Sequence, residues 1–227
     1  MDNPSGVTIN IEQAMKDLSL LAPRPRQNPE RSLIGPSSEM PPNVANITKY
    51  ISDAFPSDKY SKLFRENARK AMLGTIHAEA GHSMNYNTWQ GGATNKNDAS
   101  GPGYGLFQFE MPHWRRPKKN GKGYYSRNSQ PTPAEIARGF VKYDDTKGKR
   151  YNTYLKNNKF TDSAVSQTNY MSQLIRGNKK VLEAFKKGTP EKAMEAFTKY
   201  LITPGAYLNK NTRDSELSRR YKYMNLY

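Results

Sequence analysis

Cysteine is absent from all 227 residues, which removes disulfides, thiolate nucleophiles and sulfur-ligated metals at once and leaves packing to hold the fold. Long apolar runs are missing as well. Hydrophobic residues make up 35% of the chain, and no stretch approaches the ~18–20 consecutive apolar residues that a membrane span requires. The first 25 residues contain Asp2, Glu12 and Asp17 and no apolar stretch behind a basic start, so no classical secretory signal is expected. Acidic residues are scarce: 20 against 36 Lys and Arg, a formal net charge of +16. Residues 43–227 hold 32 of those basic residues and 15 of the acidic ones. A field of this sign attracts polyanions, whether nucleic acid, an anionic membrane, or a bacterial wall rich in peptide carboxylates and teichoic phosphates. A solvated lysine-rich surface is the plainer alternative.

Seven of the fifteen prolines fall in residues 1–42. That segment has too little apolar surface to offset its own ordering entropy, apart from one short helix that Ile11 to Leu21 can form. It reads as an extended N-terminal arm, with the domain beginning near Asn43. Val44, Ile47, Tyr50, Ile51 and Phe55 recur at helical steps, predicting a first helix. After Pro56, Ser57 is the expected N-cap of a second helix running to about Ala80, with Phe64, Ala68, Met72 and Ile76 as its apolar stripe and Gly81 as its stop. Glycine and proline pairs break residues 82–130 into turns and short strands. The capping box Thr132-Pro133-Ala134-Glu135 predicts a helix over 133–143, and further helices are expected over 162–175, 179–187, 190–202 and 212–223.

Within this frame Glu79 stands out. It lies seven residues after Met72, nearly two helical turns, and so shares the apolar face to within about 20°. Partial burial and the negative end of the helix dipole both disfavour the charged form there. A protonated carboxyl at such a place can serve as a general acid toward a glycosidic oxygen. The plainer reading is that Glu79 meets a basic side chain near the helix terminus. Downstream, Gly101-Pro102-Gly103-Tyr104-Gly105-Leu106-Phe107-Gln108 permits a tight backbone approach, and the Gln108 amide can both donate to and accept from sugar hydroxyls or acetamido groups.

Glu79-Ala80-Gly81 followed by Asn97-Asp98-Ala99-Ser100-Gly101-Pro102-Gly103-Tyr104-Gly105-Leu106-Phe107-Gln108-Phe109 resembles the phage tail lysozyme and transglycosylase-like branch of the lysozyme superfamily. The resemblance covers about residues 65–116 and extends loosely through the C-terminal helices. It implies an α+β, mainly α fold: a lysozyme-like catalytic domain over 43–227 with a small loop and hairpin lobe and a C-terminal helical lobe. It also implies that Glu79 is the catalytic acid and that Gly105, Leu106 and Gln108 line the glycan cleft. Ala80 stands where that family often has Ser, and Phe107 where Gly or Met is common.

A second carboxylate would distinguish mechanisms. Asp98, in the loop between helix end and turn, is the first candidate to orient water or stabilise an oxocarbenium ion, and loop capping is its alternative role. Glu110 is the other candidate. If neither reaches the cleft, a lytic transglycosylase route remains, in which the substrate's own hydroxyl closes an anhydro ring. Of the aromatics Tyr86, Trp89, Tyr104, Phe107, Trp114, Tyr124 and Tyr125, about half are expected in the core, and Tyr104 and Trp114 are the expected cleft walls. His77-x-Glu79 shares two residues with the zinc deaminase signature, whose Pro-Cys-x-x-Cys cannot exist here. No His-Glu-x-x-His occurs either. His77 points about 160° away from Glu79 and is expected on the surface or in packing, so no metal or cofactor is assigned.

Residues 115–160 carry thirteen Lys or Arg against Glu135, Asp144 and Asp145, a basic run suited either to wall polymers or, with its interleaved tyrosines, to single-stranded nucleic acid. The expected function is a muramidase-type glycosidase cutting the β-1,4 link between the amino sugars of peptidoglycan. The resemblance suggests that it is virion-associated and acts on the host cell envelope, with residues 1–42 available to bind other virion proteins. The alternative is a non-catalytic virion adaptor or nucleic-acid-binding module on the same fold.

Overall fold

The computed structural model describes residues 40–119, 124–203 and 208–227. The arm expected over 1–42 lies outside the described residues except for its last three. Helix α1 (Val44–Ala54) turns Val44, Ile47 and Ile51 inward. Helix α2 (Lys62–Ala80) is the central element, with Phe64, Ala68, Ala71, Met72 and Ile76 among its buried side chains.

Its N-cap is Ser61, whose hydroxyl accepts from the Phe64 N–H at 3.2 Å, and not the expected Ser57. The difference lies in Tyr60, whose N–H bonds back to the Pro56 carbonyl while its ring packs against Phe55 and Phe64 at 5.2 and 4.7 Å. This aromatic cluster delays the helix by one turn.

Two short antiparallel sheets follow. Strands β1 (Gly103–Tyr104) and β2 (Phe109–Glu110) form a hairpin. Strands β3 (His113–Pro117), β4 (Tyr124–Arg127) and β5 (Val141–Tyr143) form a second sheet in the order β4-β3-β5. Between β4 and β5, the capping box of Thr132 and Glu135 forms as expected, but its helix α3 stops at Pro133–Ala137. Residues 141–143, expected to continue that helix, instead pair with β3.

The remaining helices are α4 (Lys147–Asn158), α5 (Ala164–Gly177), α6 (Lys179–Lys187), α7 (Pro190–Phe197) and α8 (Arg213–Met224), with a π-helical turn over Thr198–Ile202 after α7. Helix α4 was not expected from the sequence. It has a Thr146 N-cap and buries only Gly148 and Tyr151, so its apolar stripe is too thin to read among the lysines. The fold class is therefore α+β and mainly α. Residues 40–227 form one unit, in which α2 is flanked by α1, α6, α7 and α8. Gly74 allows α8 to come close, since a Cβ there would stand 2.9 Å from the Met224 Cα. Leu106, Phe107 and Phe109 anchor the hairpin in the same core as Ile76, Tyr170 and Phe197. No helix among the described residues is long and apolar enough to cross a membrane.

Candidate active site

Glu79 occupies the last turn of α2, which ends where Gly81 takes a positive φ of 77° and its N–H closes on the His77 carbonyl at 3.1 Å. Its side chain is 15% exposed. One carboxylate oxygen, Oε1, accepts a hydrogen bond from Arg220 Nη2, and no hydrogen bond from the described residues reaches Oε2. Arg220 comes from α8 and is completely buried. It also donates from Nε to Glu216 at 2.8 Å, while Arg219 donates to both Glu216 oxygens at 2.9 and 3.0 Å and to the Ala78 carbonyl at 2.7 Å. Burial pushes the Glu216 carboxyl up, but its bonds to Arg219 and the charges of both arginines outweigh this and hold it below the ordinary value. Glu79 thus meets a basic partner at the helix end, supplied 141 residues away and itself held by a third charge.

A second cation lies nearby. Lys147, at the first turn of α4, donates to the Leu201 carbonyl and to the Ile202 carbonyl, the latter at 3.0 Å. Burial depresses its pKa, Glu110 and Glu79 oppose that effect, and Arg150 adds to it. Glu110 and Glu79 therefore both act electrostatically on one ammonium. Asp98 sits in an exposed turn, where Asn95 Oδ1 accepts from the N–H groups of Asn97 and Asp98 at 2.9 and 3.1 Å and Asn95 Nδ2 donates to the Asp98 carboxylate. Those are loop-capping bonds, and no described contact links Asp98 to Glu79.

The four-residue turn between β1 and β2 is over-determined. Gly105 has φ +78° and Gln108 φ +47°. Gln108 Nε2 donates to the Gly105 carbonyl at 2.9 Å and the Thr88 carbonyl at 3.2 Å, so its donor is spent inside the loop and its Oε1 is left buried without a partner. Leu106 is fully buried; its side chain belongs to the core, and its N–H donates to Gln167 Oε1 at 2.8 Å. Gln167, from α5, also donates to the Tyr86 carbonyl and to Asp162, each at 2.9 Å. Asp162 further accepts from Tyr104 at 2.6 Å and Tyr151 at 2.5 Å. Burial and the bond to Asp162 raise the pKa of both phenols, so both are held as donors. Half-buried Tyr104 packs on Trp89 at 4.7 Å.

Trp114 lies in β3, on the second sheet, opposite Arg127 and Lys142. His77 is a packing residue: it stacks on Tyr223 at 4.1 Å and bonds Tyr227 Oη at 2.8 Å, and burial, with His82 adding to it, lowers its pKa to about 4. No group of three or more His, Asp or Glu side chains suited to a metal ion occurs among the described residues. A depression of about 360 Å³ lined by Ile51, Phe55, Lys62, Arg65 and Arg69 opens near the other end of α2 and shares no residue with this constellation.

No family model matches the chain, and no curated protein or solved structure matches it. The functional reading therefore rests on the residues. Sequence reasoning missed Arg220, Glu216, Lys147, Asp162 and Gln167. The spacing of Glu216, Arg219 and Arg220 on an expected helix signals an i, i+3, i+4 ion-pair set, but nothing local signals that its outer member reaches Glu79.

Proposed function

We propose that the chain is a peptidoglycan-cleaving glycosidase of muramidase type, on a lysozyme-like fold, with Glu79 as general acid. The observation that carries this reading is the setting of the Glu79 carboxyl: at a helix end, mostly removed from water, one oxygen anchored by a buried guanidinium and the other without a hydrogen bond from the described residues. The anchor fixes the carboxyl plane. The second oxygen is then the one proposed to carry a proton to a glycosidic oxygen, and orientation of this kind accounts for much of the effect of a positioned acid.

Of the two other carboxylates, Glu110 is favoured over Asp98 as the partner, because it shares the field of Lys147 with Glu79 whereas Asp98 is engaged in its own turn. In hydrolysis Glu110 would orient the attacking water or stabilise positive charge at the anomeric carbon. If neither acid takes that part, the substrate's own hydroxyl attacks and the reaction is a lytic transglycosylation. Tyr104, Trp114 and the partly exposed Gln108 are the proposed glycan contacts, with buried Gly105 shaping the turn. Leu106, fully buried, would act by anchoring the turn in the core. The proposed setting is a phage virion acting on the host envelope, with residues 1–42 as the attachment to other virion proteins.

The Glu79–Arg220 contact also favours a second reading. A carboxylate closed into a four-charge network with Arg220, Glu216 and Arg219 serves a purely structural end, as expected of a non-catalytic adaptor. Release of soluble muropeptides from purified walls separates the two. The enzyme reading expects release by the parent protein and its loss in Glu79→Gln with the circular-dichroism spectrum retained. The structural reading expects no release from either. Product mass decides the route, because hydrolysis adds one water and anhydro-ring formation adds none.

A further inference from the structure

The β4-β3-β5 sheet carries arginines that lie over aromatic rings. In β3 the Arg115 guanidinium lies over the rings of Tyr143 at 3.5 Å and Tyr124 at 4.4 Å. The next residue, Arg116, points to the opposite face, over Tyr125 at 5.1 Å and Phe140 at 5.4 Å. Lys118 Nζ also sits 5.7 Å from the Tyr125 ring. The lobe's acids are engaged elsewhere: Glu135 takes both terminal nitrogens of Arg127 at 3.0 and 2.8 Å, and Asp144 lies 3.8 Å from Lys142. Among the described residues no carboxylate pairs with Arg115, Arg116 or Lys118. Tyr124 and Tyr125 are 50% and 49% exposed, and Val141 in the same sheet is exposed too. Aromatic side chains and ordered guanidinium groups on a solvent-facing sheet mark an interaction surface, because their rotamer freedom is already restricted before any partner arrives.

We propose that this sheet is the docking surface for a phosphodiester wall polymer of the teichoic acid type, with Arg115 and Arg116 as the principal phosphate contacts. The proposal rests on the wall as the site of action and extends it from the glycan to a second polymer. Three features select the occupant. A guanidinium offers a planar fork of donors that matches phosphate bidentately. Each arginine already takes one face of the rings nearest to it, which reduces the aromatic area left for the base stacking on which single-stranded nucleic-acid binders rely. Finally, the cations occupy both faces of the sheet. A duplex docks against one side, whereas a polymer mesh can surround the lobe.

The test uses the full chain as Glu79→Gln, so that cleavage cannot remove the bound wall. Sedimentation of this protein is compared on intact walls, on walls stripped of phosphodiester polymer by hydrofluoric acid, and with purified polyglycerol phosphate as competitor. The expected result is strong retention on intact walls, loss on stripped walls, and release by the competitor and by raising salt from about 50 to 200 mM. Arg115→Ala with Arg116→Ala should weaken binding about tenfold or more, the scale of losing two charge-assisted contacts. Arg115→Lys, which keeps the charge but loses the fork, should fall between. Equal retention on stripped walls, unchanged binding by the double alanine variant in a folded state, or tighter binding of a single-stranded oligonucleotide than of polyglycerol phosphate would overturn the proposal. Because binding is read without catalysis, a failure here leaves muropeptide release intact, and a failure of release leaves this result standing.

Discussion

At the scale of single residues the account turns on Glu79 and on what surrounds it. The 3.6-residue period and Gly81 made its position at a helix end legible. The two effects weighed from the sequence, burial and the helix dipole, omitted the Arg220 contact, because pairing between residues 141 apart leaves no trace in local pattern. That contact makes a strong prediction. Arg220→Met leaves Glu79 and Glu216 facing each other without the guanidinium between them and should cost about 3–5 kcal/mol, as broken buried ion pairs do. Glu79→Gln keeps an acceptor for Arg220 and should cost much less, and urea unfolding of the two variants measures the difference.

His77 gives a pH signature of its own. Folded, it resists protonation down to about pH 4, whereas the unfolded chain titrates near the ordinary 6.5. Between those values the unfolded state binds more protons, so the His77 contribution is complete above about pH 6.5 and is lost as the pH falls toward 4. His77→Gln should flatten that part of the plot of urea midpoint against pH. An unchanged slope would assign the acid lability to another group.

At the scale of elements, the periodic helices were readable and the irregular ones were not. Helices α6 and α7 bury Val181 and Phe185, and Ala193, Met194 and Phe197, and have a cap at each start, so α6 follows from pattern over its whole length, whereas the helix expected over 190–202 gives way to a π-helical turn after Phe197. Helix α4 escaped because lysine, arginine and asparagine fill most of its length, and the residues after α3 escaped because their strand exists only through its partner β3. In the candidate site the glycine-bounded turn was legible, but its clamp from α5 was not. Gln167→Ala strands the Leu106 N–H and removes a donor from Asp162, and should destabilise by about 1–3 kcal/mol. Gly105→Ala should cost at least the roughly 1–2 kcal/mol of left-handed backbone, and more because the new Cβ would crowd the Gln167 amide, 2.7 Å from its Cδ. Thermal unfolding of both variants checks this. Equal stability to the parent would mean that the turn does not depend on α5.

At the scale of the whole molecule, a mainly helical α+β unit following a proline-rich segment was legible in the distribution of proline, glycine and apolar residues. What joins its parts was not. Arg220 from the last helix meets Glu79, and Lys147 from a basic stretch comes under the charges of both Glu79 and Glu110, only after folding. The proposed activity is general-acid cleavage of peptidoglycan by Glu79. It is tested most directly by mass spectrometry of soluble muropeptides released from purified walls by the parent protein and by Glu79→Gln. The account predicts release by the parent and a drop of about a hundredfold or more in the variant, the scale of losing a positioned acid, with folding unchanged. Release at the parent rate by folded Glu79→Gln, or no release by either protein, would contradict it.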